Sequence, residues 1–141
     1  ADSRALGSGM SREPSLSGVA DAILEEISQR KSLQPEDLLK LHVLYRKDLE
    51  LALPIVDNGV VHEVQAEESG RTCFRVQGRD PEPYTCLDHF CSCKGFYHKV
   101  IHSNKALQCK HQIAARLGKA IGKVPIVHIS EQEFDSLLEK L

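Results

Sequence analysis

Apolar residues recur three and four positions apart near the start of the chain, at Val19, Ala20, Ile23, Leu24 and Ile27. That spacing puts them on one stripe and predicts an amphipathic helix over residues 17–31. A second, stronger helix is predicted from Pro35, which suits the first helical position, with Glu36 and Asp37 placed favourably for the helix dipole. Leu38, Leu41, His42, Tyr45, Leu49 and Ala52 line one face of it. Leu39, Val43 and Leu44 widen the apolar surface, so burial on two sides is expected, with Pro54 ending the helix.

From Ile55 the period changes to two. Asn58-Gly59 reads as a two-residue hairpin turn, after which Val60, His62, Val64 and Ala66 alternate with Val61, Glu63 and Gln65. Ser69-Gly70 marks another turn, Thr72, Phe74 and Val76 alternate next, and a short strand is expected over residues 84–87. A short helix over 95–102 and a clearer one over 109–121 follow, the latter with Ile113, Leu117 and Ile121 stepping by four. The last helix opens on the capping pair Ser130 and Glu133 and carries Phe134, Leu137, Leu138 and Leu141 on one face, directed at the N-terminal helices or at a partner. The pattern predicts an α+β fold: an antiparallel β-meander with flanking helices and a ββα-like unit. In chain order it divides into a helical region (10–53), antiparallel strands (54–90), a cysteine-rich core (91–123) and a C-terminal amphipathic helix (124–141).

Composition changes this picture in three ways. Residues 1–9, before Met10, read as a vector-derived linker, and the rest, of 141 residues in all, suffices for one core. No run of about 18 apolar residues exists, which excludes a transmembrane helix and any membrane role through one. Charge is unevenly spread: residues 94–123 hold seven of the 18 Lys and Arg and none of the 20 Asp and Glu. Such a segment attracts phosphates although the chain's net charge is only −2. Lys94, Lys99, Lys105, Lys110, Lys119 and Lys123 are the candidate nucleic-acid contacts.

The five cysteines are an odd number, which argues against a disulfide framework and for a metal site with spare thiols. Cys91-Ser92-Cys93, then Cys109-Lys110-His111, supplies three thiolates and an imidazole, a closed tetrahedral set for one structural zinc ion. On a helix, positions i and i+2 lie about 200° apart, so Cys109 and His111 converge only where a helix is starting. Four protein ligands leave no open position for water, which disfavours catalysis at the metal. Cys73 and Cys86 are expected in the core, and His89 is the nearest rival ligand. Gly118 to Lys123 imitates a phosphate loop, but its spacing is one short and Val124 stands where Ser or Thr is needed.

The C-x-C and C-x-H pairs, following short strands and entering a helix, resemble the SWIM zinc finger. The leading helices, the meander ending in Tyr84-Thr85-Cys86-Leu87, the segment from Cys91 to Phe96 and the terminal helix resemble, over about residues 16–141, the small SWIM proteins of the Shu complex. The resemblance implies a nuclear, non-enzymatic homologous-recombination factor. It would pair with a RecA-like recombinase paralogue and help recombinase filaments form or persist on single-stranded DNA. The alternative is a protein-interaction adaptor with a SWIM zinc module and no direct DNA contact. No hydrolase signature stands out.

Overall fold

The computed structural model describes residues 15–102 and 107–141; the linker assigned to residues 1–9 and the candidate contact Lys105 lie outside them. Helix α1 spans Leu16–Arg30, started by Ser15, whose hydroxyl accepts from the Gly18 N–H at 3.0 Å. Its apolar stripe is buried at Ala20, Ile23, Leu24 and Ile27, the positions that the spacing selects.

The long second helix is two helices, α2 (Pro35–Tyr45) and α3 (Lys47–Asp57), separated at Arg46, whose φ of 54° and ψ of −127° leave the helical region. The break lets α2 pack on α1 while α3 packs on a later helix. Pro54 does not end α3. It removes one donor, but the helix runs another turn because Ala52 and Val56 are anchored in the core and the Asn58 N–H closes on the Pro54 carbonyl. Asn58-Gly59 is therefore a helix exit rather than a hairpin. Gly59, at φ 67°, supplies the left-handed residue that either structure needs. Burial on two sides also fails, since Leu39 and Val43 are 70% and 71% exposed.

Arg30 and Asp37 fix the α1–α2 corner. The guanidinium donates to both Asp37 oxygens at 2.9 Å, and the Gln34 N–H donates to Oδ2 at 2.9 Å.

Three strands of the meander form as expected, β1 (Val61–Ala66), β2 (Thr72–Val76) and β3 (Tyr84–Leu87), and a further two-residue strand, β4 (Phe90–Cys91), extends it, each antiparallel to the next. A fifth strand, β5 (Ile126–Ile129), pairs parallel with β1. It makes the sheet mixed, in the order β4-β3-β2-β1-β5. Between β4 and β5 lie a wide π-helical segment (Phe96–His102) and α4 (Lys110–Ala120); α5 (Glu131–Glu139) ends the chain, with the Ser130–Glu133 capping box in place.

Alternation along the strands sorts two cores. Val61, Val76 and Cys86 face α1 to α4 in the main core. Val64, Ala66 and Cys73 face the other way and are covered by Phe134 of α5, with Leu87, Ile129, Leu137 and Leu138 around them. The terminal helix thus covers the second face of the sheet, not the N-terminal helices. No helix among the described residues is long and apolar enough to cross a membrane.

Candidate metal centre

The β3–β4 hairpin presents Cys91 at its end and Cys93 two residues on, and α4 packs against β3. Cys109 is the N-cap of α4, with extended backbone at φ −81° and ψ 167°, and His111 is the second helical residue. Its extended conformation removes the 200° conflict and lets Cys109 and His111 point to one place. One donor atom from each of Cys91, Cys93, Cys109 and His111 falls within 4.8 Å of the others, and all four residues are buried.

The surroundings hold this arrangement from several sides. The Phe96 N–H donates to Cys93 Sγ at 3.3 Å as the chain turns into the π-helical segment. Gln112, itself buried, accepts from the Cys109 N–H at 3.0 Å and donates to the Leu87 carbonyl at 3.3 Å, tying the start of α4 to the hairpin. Ser92 Oγ accepts from the Thr85 N–H at 3.0 Å. The Tyr84 ring lies 4.6 Å from that of His111.

Electrostatics within the cluster call for a cation. Hydrogen bonds from the Cys109 and Cys91 thiols hold Cys93 far below the ordinary thiol range. Donating to Cys91 and Cys93 drives Cys109 far above it. The buried thiols thus pull one another's titration in opposite directions. Among the described residues His111 Nδ1, which is buried, has no hydrogen-bond partner, a state that costs free energy without a ligand. Zinc answers both: at Zn–S about 2.3 Å, tetrahedral sulfurs stand about 3.8 Å apart, inside the 4.8 Å that spans the four donors. The residues present therefore fit a zinc ion, and their four donors would complete its shell. His89 is exposed on the hairpin turn and is not part of the cluster.

A Danio rerio protein, zinc finger SWIM domain-containing protein 7, is 31% identical to this chain over 132 residues, covering 89% of the chain and 94% of the relative. The chain belongs to the SWIM zinc-finger family. No protein-family model and no solved structure matches it.

The SWIM centre opens on a cleft of about 470 Å³ whose lining includes Cys93, Cys109, His111, Lys94, Lys99 and Lys110. Three of the six candidate lysines are therefore brought together beside the metal cluster. Arg79 joins them from the β2–β3 loop, outside the acid-free segment where charge counting looks. Lys99 is paired with Asp48 at 3.2 Å. Lys119 and Lys123 lie apart, toward the other end of α4. Lys119 donates to buried Glu63 at 2.9 Å and sits over the Phe74 ring, which makes it a structural residue of the sheet–helix junction. Arg116 likewise ties α4 to Asp21 of α1. Phe96 is core, whereas Tyr97 is exposed.

The sequence reading did not single out Gln112, Ser92, Tyr84 or Arg79 as site residues. Gln112 had a findable signal, since Gln at the third helical position after a cap is a capping-box pattern.

Proposed function

We propose that this SWIM protein is a non-catalytic homologous-recombination factor of the nucleus, held in shape by one structural zinc ion on Cys91, Cys93, Cys109 and His111. In this reading it pairs with a RecA-like recombinase paralogue, as the small SWIM proteins of the Shu complex do, and promotes recombinase filaments on single-stranded DNA. The observation that carries the reading is the closed Cys3His cluster in a chain whose family membership rests on nearly its whole length. A closed donor set makes the metal a staple between hairpin and helix, and the protein then acts through the surfaces so held.

Direct DNA contact would run through the cleft beside the zinc, where Lys94, Lys110 and Arg79 gather. Charge reversal at Lys94 and Lys110 in the complex with the recombinase paralogue should weaken single-stranded DNA binding and flatten its salt dependence, with zinc content unchanged. Unaltered affinity and salt slope would transfer all DNA contact to the partner. A specific observation favours that second, adaptor reading. Leu39 and Val43 leave an apolar strip exposed on α2, and Tyr97 and Ile101, each 58% exposed, leave another on the π-helical segment.

A further inference from the structure

A fifth sulfur stands beside the metal cluster. Cys86 Sγ lies 3.4 Å from Cys91 Sγ, and both residues are buried. They are direct cross-strand partners in the β3–β4 hairpin. The Ser92 N–H bonds to the Thr85 carbonyl on one side of the pair, so Cys86 and Cys91 occupy the position whose backbones exchange no hydrogen bonds. Side chains approach most closely at such positions, with Cα atoms about 4.5 Å apart, inside the range that a disulfide spans. Cys86 belongs to no ligand set, yet it touches a ligand.

We propose that Cys86 and Cys91 form a redox pair, which a peroxide closes into a disulfide and which thereby detaches Cys91 from the metal. The proposal rests on the zinc reading above. The Cys91 thiolate attacks one peroxide oxygen and breaks the O–O bond, giving a Cys91 sulfenic acid and hydroxide. Cys86 sulfur then attacks the Cys91 sulfur, its proton leaving with the departing oxygen as water. Two sulfurs have lost two electrons, and one hydrogen peroxide has become water and hydroxide. The metal is left with Cys93, Cys109 and His111, an open set that holds zinc less well. A thiol reductant reverses the step by attacking the disulfide.

Two features of the fold favour this pairing over others. The bond joins adjacent strands already in register, so the sheet need not move, whereas Cys73 faces α5 on the opposite side of it. Cys86 also lines a second cleft, about 400 Å³, with Phe74, Asp88, His89 and Phe90; Cys73 borders the same cleft but is no cross-strand partner of Cys91. That cleft reaches the pair from the Cys86 side, apart from the lysine-lined cleft that borders Cys93 and Cys109.

The test starts from zinc-loaded full-length chain with its metal content measured beforehand. Hydrogen peroxide is added, zinc release is followed with a chromogenic chelator, remaining thiols are alkylated, and disulfides are mapped by mass spectrometry. Cleavage at Asp88 or Phe90 separates Cys86 and Cys91 onto different peptides. The expected result is loss of the zinc in step with a dominant Cys86–Cys91 linked peptide, with both changes reversed by thiol reductant and added zinc. In Cys86→Ala, peroxide should still expel zinc, but reductant should no longer restore it, because Cys91 proceeds to sulfinic acid. Linkages confined to Cys91, Cys93 and Cys109, or Cys86 recovered fully alkylated after zinc has left, would overturn the proposal. The wild-type map decides even if the variant does not fold. A chain that carries no zinc at the outset would instead refute the zinc reading, and its map would still decide whether the pair forms.

Discussion

Replacing Phe134 with Ala asks whether α5 belongs to this fold or is held out for a partner. Phe134 is 2% exposed and is the largest side chain of the second core, against Val64, Ala66 and Cys73. Truncating a buried Phe generally costs about 3–5 kcal/mol. This core is small and its outer members are only half-buried, so it can partly collapse, which places the cost near the lower end, about 3 kcal/mol. The Arg71 guanidinium sits 4.8 Å from the ring centroid, and losing that contact at a solvent-exposed edge adds about 0.5 kcal/mol. The total, about 3.5 kcal/mol, is a large fraction of the 5–15 kcal/mol typical of a domain. Urea unfolding followed by far-UV circular dichroism should show an earlier midpoint with an unchanged slope. Leu39→Ala with Val43→Ala, on the exposed strip of α2, is the control and should change stability by no more than about 0.5 kcal/mol. A Phe134→Ala cost below about 1 kcal/mol would refute the packing of α5 on the sheet.

Asp37→Asn should destabilise by about 2–3 kcal/mol, because it weakens two charge-assisted bonds to Arg30 and one to the Gln34 N–H at a buried corner; denaturant titration measures it. Glu131, which accepts from the Ser69 N–H and hydroxyl, Arg71 and the Glu68 N–H, is lowered from 4.5 to about 2. A depressed acid stabilises fully above its unfolded value, so the melting temperature of Glu131→Gln should converge on that of the wild type as pH falls from 4.5 toward 2. Arg46 holds φ 54° and ψ −127°, a conformation that Gly adopts freely. Arg46→Gly should therefore raise stability, by up to about 1 kcal/mol, in the same denaturant assay.

How much of this was legible depends on how local each signal is. The four candidate metal donors were legible because tight pairing and a helix start leave few other uses for those residues, and their side chains converge as the spacing requires. Helix faces with regular periodicity, as in α1 and α5, were legible for the same reason. The break at Arg46 was not, because no Gly or Pro marks it and it exists to let α2 and α3 pack on different helices. Asn58-Gly59 misled because a helix exit and a hairpin both want a residue with positive φ. Strand β5 is four residues with no turn partner beside it, and its pairing with β1 lies some sixty residues away in sequence. Counting charge found the basic segment but could not see that Lys99 and Lys119 answer Asp48 and Glu63, or that Arg79 folds in from another loop.

Metal content of the purified chain tests the central claim most directly. Elemental analysis should find about one zinc per chain, held by three thiolates and one imidazole, and Cys91→Ser with Cys93→Ser should lose both the zinc and the native fold. A cooperatively folded wild-type chain with no bound zinc, or a double variant that folds as well as the parent without metal, would contradict it.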